Sequence, residues 1–374
     1  MIPFKGSLNT LRLPFSHHEV FMKRKAIASF LSLCLLLSSL CACQRQQSYT
    51  AYSLDYFDTV TTVVGYASNR KEFDRIANDI LAELGEYHQL YTTYHRYEGL
   101  ENLCTVNELV DGTHRTVTVD RRIIDMLLYA REMYQKTNGR VNIAMGSVLS
   151  IWHDYREMGT SNPESAVLPP MEQLTAAAAH TDIEALVIDR EACTVTLTDP
   201  AMRLDVGAIA KGYAVEMVAR SLEERGITGY VLNVGGNVRT IGTKTTGEKW
   251  VVGIENPKES KQEPYLAYLS LSGQSLVTSG SYQRYYIVDG KRYHHIIDPD
   301  TCMPAAGYLS VSVVCQSSAE GDALSTALFC LSPEEGLALV ESLPETEAMW
   351  VMEDGTRQYS SGFSVYLTNL SNAG

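Results

Sequence analysis

The sequence predicts an α+β protein with mixed sheets and packed helices. Strand-like and helix-like stretches are interspersed, and several neighbouring strands are joined by turns short enough for hairpins. That pattern differs from the regular alternation of a doubly wound fold. The chain has 374 residues, 45% hydrophobic and 20% charged. This is a globular composition, long enough for a large core in one domain or in two tightly packed lobes.

The elements follow in order. "YSLDYFDTVTTVVGYA" is rich in β-formers and reads as a strand or hairpin arm. Phe73, Ile76, Ile80, Leu84 and Tyr87 recur at helical spacing, which predicts an amphipathic helix over about residues 70–90. "TVTVDRRIIDMLLYAREMYQKTNG" is a strand followed by a helix capped by Asp120 and stopped at Gly139, with an extended run after it. "EALVIDREACTVTLTDPAMRLDVG" reads as a hairpin and a third strand ending at Asp205. A helix then runs through "IAKGYAVEMVARSLEERG" to Gly226. "GYVLNVGGNVRTIG" reads as a buried strand broken by a double glycine, and "KWVVGIENP", "YLAYLSLSGQSLVTSG" and "YLSVSVVCQ" add strands. "GDALSTALFCL" is a helix starting near Asp322, and the next helix has Ser332 at its N-cap and Pro333 at its first position. "EAMWVMEDGTRQYSS" closes the chain with an Asp-Gly hairpin.

The N-terminus reads as a targeting segment. "MKRK" supplies positive charge and Ala26–Leu40 an apolar stretch too short for a comfortable permanent span. "LCAC" then resembles a bacterial lipoprotein box, with Cys43 as the first mature, lipidated (palmitate-bearing) residue. Cys41 is disfavoured because bulky Leu40 precedes it. Residues 1–21 read as an extension upstream of a true start at Met22, residues 22–42 as the signal, 43–50 as a tether and 51–370 as the folded domain. The expected location is the cell membrane, lipid-anchored and facing its extracytoplasmic side.

Residues 1–42 carry Lys5, Arg12, Lys23, Arg24 and Lys25 against Glu19, so the formal −13 of the whole chain becomes −17 for the remainder. So acidic a protein is a poor nucleic-acid binder, and a polyanionic ligand would need a metal ion or backbone N–H groups to meet it. Cys104, Cys193, Cys302, Cys315 and Cys330 show no zinc spacing, and nothing in the sequence assigns a disulfide.

Four stretches have side chains suited to chemistry. "LDVGAIAKGY" holds Asp205 and Lys211 around a glycine turn, but matches neither G-x-x-x-x-G-K-[ST] nor G-x-G-x-x-G. Free N–H groups at the helix start would favour an anion, and the turn would leave a carbonyl, that of Ala208, to face a cation. Taken alone, it reads equally well as a structural turn with a solvated lysine. In "GDALSTALF", Asp322 and Thr326 are spaced i, i+4 on one helix face and offer two hard oxygens suited to Mg²⁺. The rival reading makes Asp322 the cap of its own helix, with Thr326 bonding back to a carbonyl. In "GKRYHHIIDPDTCMP", His294 and His295 alternate across a strand, so one of them can face a pocket as a general base. "TNGRVNIAMGSVLSIW" has backbone that could line a flat aromatic ligand, although an ordinary connection explains it as well.

In this order, with "VLNVGGNV" and "VTSGSYQRYY" between them, these stretches resemble the FAD:protein FMN transferase family over essentially the whole mature chain. The resemblance implies a single compact catalytic domain with FAD in a central cleft. It also implies Mg²⁺-dependent transfer of FMN from FAD to a threonine of an extracytoplasmic or membrane redox protein with a Ser/Thr-Gly-Ala-Thr-like acceptor motif, releasing AMP. On that pattern Asp322, Thr326 and the Ala208 carbonyl are metal ligands, with Ser325 a weaker candidate. Asp205, Lys211, Arg140, Val141 and Asn142 contact FAD, Phe57 and Ile296 pack on it, and His295 helps to deprotonate the acceptor. Two positions depart from the family pattern. Cys302 replaces a glycine, and Arg140-Val141-Asn142 replaces a triplet containing an acid, which leaves FAD hydrolysis to FMN and AMP as an alternative activity. A non-catalytic FAD-binding lipoprotein is the other alternative.

Overall fold

The structure, a computed structural model, describes residues 46–108, 116–258 and 260–368. Cys43 and the expected signal lie outside the described residues. The unit from Gln47 onward is one compact body. No helix among the described residues is long and apolar enough to cross a membrane.

An eight-stranded sheet forms the centre. Its spatial order is β1 (Gln47–Ser53), β2 (Thr61–Ala67), β6 (Tyr230–Val234), β7 (Asn237–Ile241), β10 (Ser275–Gly280), β13 (Tyr308–Cys315), β14 (Glu347–Met352) and β15 (Arg357–Tyr359). Smaller ladders join β3 (Thr116–Thr118), β5 (Thr194–Leu197) and β4 (Leu186–Asp189), then β8 (Trp250–Glu255) with β9 (Tyr265–Leu271), and β11 (Tyr285–Val288) with β12 (Lys291–His294). Every one of these ladders is antiparallel. The helices are α1 (Arg70–Tyr91), α2 (Leu103–Asn107), α3 (Arg121–Lys136), α4 (Gly146–Ser161), α5 (Met171–Ala178), α6 (Ala210–Glu224), α7 (Ser318–Phe329) and α8 (Pro333–Glu341).

Side-chain periodicity explains the layers. β2 alternates buried and half-buried residues, whereas all five residues of β7 are buried, as a strand covered on both faces requires. One sheet face packs against α1, α6 and α7 through the largest core, which includes Phe73, Ile80, Val215, Leu232 and Val313. On the other face Val238, Leu276, Val314 and Met349 meet Ile254, Leu269 and Leu271 of the β8–β9 hairpin. A third cluster joins Val148 and Trp152 of α4 to Leu174 of α5 and Tyr286 of β11.

Several expectations are corrected. β1 begins at Gln47, inside the stretch read as tether. The double glycine makes a hairpin turn between β6 and β7 rather than a broken strand: Gly235 and Gly236 take φ of 53° and 89°, and Val234 pairs with Asn237. No strand ends at Asp205. The Asn107 side chain takes both backbone groups of Leu204, at 2.7 and 2.8 Å, so pairing with residues 143–146 goes no further than one parallel bridge, Met145 with Arg203, closed by the Asp205 and Gly146 N–H groups at 2.8 and 3.0 Å. The run after Gly139 is bend and turn rather than extended, with one bridge from Met145 to Arg203, and α4 begins at Gly146. Helix α7 starts at Ser318, so Asp322 sits one turn inside it and does not cap it.

Candidate active site

Helix α6 starts on an unusual base. Its N-cap, Ile209, has no side chain able to cap, so the first-turn N–H groups must find partners elsewhere. The Gly212 N–H donates to Asp322 Oδ2 of α7 at 2.7 Å. Gly212 is the third residue of α6, so its N–H has no partner within the helix, and Ala208 lies before the N-cap. No backbone N–H among the described residues bonds the half-buried Ala208 carbonyl, which is left open. The absence of a Gly212 side chain makes this contact possible. A Cβ there would lie 2.4 Å from both Asp322 Cβ and the Ser318 carbonyl oxygen.

The other carboxylate oxygen of Asp322 faces the Lys211 ammonium at 3.3 Å, and Lys211 also reaches the side-chain oxygen of buried Asn237. Burial pushes the Lys211 pKa down, while Asp322 opposes that shift. Thr326 is half-buried one turn along α7. Ser325 is fully buried. Its hydroxyl meets that of Ser279 on β10 at 2.8 Å and bonds back to the Asp322 carbonyl at 3.1 Å, so it already has partners away from the carboxylate.

Asp205 is half-buried, with Oδ1 accepting the Gly207 N–H at 2.8 Å. Burial raises its pKa; the Gly207 N–H and the charges of His153, Arg156 and Arg284 pull the other way. Those basic groups are the residues sequence reasoning missed. Arg156 Nη2 lies 3.0 Å from His153 Nδ1 on α4, and the His153 ring stands against Tyr94 at a centroid distance of 5.0 Å. Their i, i+3 spacing on a helix was the available signal, and Arg284 lay inside the quoted "VTSGSYQRYY". Arg284 Nη2 donates to the Asp58 carbonyl at 3.4 Å. Phe57 and Asp58 both hold positive φ, 56° and 51°, a strained conformation for non-glycine residues. The Phe57 N–H donates to His88 Nδ1 at 3.2 Å, which braces the loop from its other side.

The two histidines separate as expected for neighbours on a strand end. His294 is buried, with Nε2 2.8 Å from the Ala305 carbonyl. His295 Nδ1 lies 3.2 Å from the Arg284 carbonyl. A carbonyl can only accept, so Nδ1 carries the proton and Nε2 is left with a lone pair. Burial first, then the charges of Arg284, His294 and Arg156, holds the His295 pKa well below the usual histidine range, to about 3.

The remaining expected residues lie nearby on a second loop. Arg140 pairs with Asp298 at 3.2 Å and with Asp300. Val141 is buried. Asn142 uses its side chain to brace the loop, donating to the Thr181 carbonyl and accepting the Ala144 N–H, both at 2.9 Å. Val141 N–H donates to Thr137 Oγ1 at 3.1 Å and the Asn142 carbonyl accepts the Met145 N–H at 3.3 Å, which leaves the Val141 carbonyl and the Asn142 N–H for a ligand. Ile296, next to His295 in the chain, is buried in the main core. A cavity of about 310 Å³ opens beside Asp298, between Tyr308, Phe329 and Pro333; Lys211, His295 and Asp322 do not line it.

Among the described residues no group of three or more His, Cys, Asp or Glu could hold a metal ion. At the Gly212 end of the α6–α7 crossing Asp322 brings a carboxylate to the helix start that follows the open Ala208 carbonyl, with the Thr326 hydroxyl one turn along α7. These are hard oxygen donors. A divalent cation held by a single carboxylate must complete its shell with substrate phosphates and water, as Mg²⁺ commonly does. The donor set fits such a cation.

A family model described as the ApbE family matches residues 50–350. A FAD:protein FMN transferase of Klebsiella pneumoniae is 34% identical over 263 residues, covering 68% of this chain and 79% of that protein. The crystal structure of the ApbE protein of Thermotoga maritima superimposes with a TM-score of 0.75 at 27% identity, covering 86% of this chain and all of the other. The flavin transferase ApbE of Vibrio cholerae gives 0.70 at 26% identity, again over 86% of this chain.

Proposed function

This chain belongs to the ApbE family and is a flavin transferase, and from that premise we propose that it moves the FMN half of FAD onto a threonine hydroxyl of a partner protein and releases AMP. The observation that carries the site assignment is the Asp322–Gly212 contact, which fixes the carboxylate at the start of α6, where the Ala208 carbonyl has no backbone donor.

The reaction exchanges the phosphoanhydride bond of the diphosphate for a phosphoester. The threonine oxygen bonds to the phosphorus on the FMN side of the diphosphate, and the bond from that phosphorus to the AMP oxygen breaks. His295 Nε2 takes the hydroxyl proton; its depressed pKa keeps it neutral and able to accept. Lys211, Arg284 and Arg156 offset the diphosphate charge that an acidic chain would otherwise repel. In return the bound phosphates raise the basicity of His295. Asp205 and the backbone of residues 140–142 orient the nucleotide, with Phe57 and Ile296 against its apolar parts. Asp322, Thr326 and the Ala208 carbonyl would hold Mg²⁺, with Ser325 secondary because its hydroxyl is engaged elsewhere. When bound, Mg²⁺ supplies neutralisation of the phosphate oxygens and of the leaving group.

The test is incubation with FAD, Mg²⁺ and an acceptor domain carrying a Ser/Thr-Gly-Ala-Thr-like motif. Covalently fluorescent acceptor supports transfer. Free FMN and AMP alone indicate hydrolysis, and unchanged FAD indicates storage. We further propose that lipidated Cys43 holds the enzyme at the extracytoplasmic face of the membrane, beside a redox-protein acceptor. Cys43→Ser should release it from membranes, and continued attachment would contradict the anchor.

A further inference from the structure

Helices α6 and α7 cap one another. Asp322 on α7 accepts the first-turn Gly212 N–H of α6 at 2.7 Å, and Glu216 on α6 accepts the first-turn Ser318 N–H of α7 at 2.9 Å through Oε2. The two carboxylates thus lie at opposite ends of one crossing, which closes onto Gly212. Glu216 is only 3% exposed and is held in turn by two arginines. Arg239 Nε on β7 meets the same Oε2 at 3.1 Å, and Arg220 Nε meets Oε1 at 3.0 Å. Arg239 is 4% exposed; it also reaches Glu223 at 3.1 Å and the Thr240 carbonyl at 2.6 Å.

We propose that Glu216 and Arg239 are positioning residues for the catalytic site: they fix α7 against α6 so that Asp322 meets Gly212 and the Ala208 carbonyl stays open. This rests on the metal-site reading above only in its consequence, since the positioning itself concerns protein groups alone. A buried ion pair adds little stability over an apolar pair of the same shape. What it supplies here is direction. Glu216 Oε2 joins the start of α7 to the central sheet, and a sliding α7 would break both caps together. Apolar packing of Ala323, Ala327 and the other small side chains of α7 specifies that register far less sharply. The charge of Glu216 therefore governs the geometry at Asp322, about one helical turn away on each helix.

The experiment compares the parent protein with Glu216→Gln, Glu216→Asp and Asp322→Asn by amide hydrogen exchange and by Mn²⁺ binding without FAD. In Glu216→Gln the Gly212 amide should exchange about tenfold faster, the worth of one net hydrogen bond, while amides in the second half of α6 keep their protection. Glu216→Asp should restore part of the Gly212 protection. Unchanged Gly212 protection in Glu216→Gln, or a uniform loss along α6 and α7, overturns the proposal. Parent-like Mn²⁺ affinity in Asp322→Asn would sink the metal-site reading and leaves the exchange result to judge the positioning role. If Asp322→Asn weakens Mn²⁺ binding, Glu216→Gln should weaken it in the same direction; parent-like binding in Glu216→Gln would then count against the proposal.

Discussion

The carboxylate of Asp322 accepts the backbone N–H of Gly212 at 2.7 Å, across 110 residues of sequence. This one bond caps α6 from another helix and holds the carboxylate beside Lys211 at the start of α6, where the Ala208 carbonyl is open.

Gly212→Ala places a Cβ 2.4 Å from the Ser318 carbonyl oxygen and from Asp322 Cβ, atoms of helix backbone and its first carbon that cannot swing aside. The helices must separate, at a cost of about 1–3 kcal/mol. Urea unfolding should show that loss together with a fall in transfer activity larger than the loss of folded protein explains. A variant with parent stability and activity would show that the close approach is dispensable.

Arg284→Met and Arg156→Met should each raise the KM for FAD, by about tenfold or more, and flatten its dependence on salt. The kcat should fall less. An unchanged KM in both variants would remove these side chains from the nucleotide site.

His295→Gln should lower kcat by roughly 10²–10⁴ while FAD still binds. Because the free-enzyme His295 pKa is depressed, the acid limb of kcat/KM should lie below pH ~6.5 rather than at it. Stability carries the same sign. The unfolded chain takes up the proton first as pH falls below ~6.5, so folding weakens from there downward. His295→Gln should lessen that loss without abolishing it, because burial also lowers His88 and His294.

Thr326→Val and Ser325→Ala separate the two hydroxyls. Thr326→Val should weaken Mg²⁺ activation of transfer with little effect on melting temperature. Ser325→Ala should leave Mg²⁺ activation near parent and cost about 1 kcal/mol, because it breaks the bond to Ser279. The reverse pattern would make Ser325 the ligand.

Local signals in the sequence were strong enough to place most elements. The Phe73–Tyr87 stripe marks α1, and Ser332-Pro333 marks α8, where the structure shows a full capping box. The strand ending at Asp205 failed because its backbone is taken by the Asn107 side chain, a partner 97 residues away that no local pattern reveals. The site divides in the same way. Asp322, Lys211 and His295 stood out by residue type and motif. The pairing of Asp322 with Gly212, and the charge of Arg156 and Arg284 acting on Asp205, depend on which distant elements pack together. The rival reading of Asp322 as a cap was correct in chemistry and misplaced in space: it caps α6, not its own helix.

The most direct test of the account is covalent labelling of an acceptor domain by parent and Asp322→Ala proteins at equal folded concentration, with FAD and saturating Mg²⁺. The account predicts fluorescent, mass-shifted acceptor with the parent and none with Asp322→Ala. Labelling at the parent rate by Asp322→Ala would contradict it.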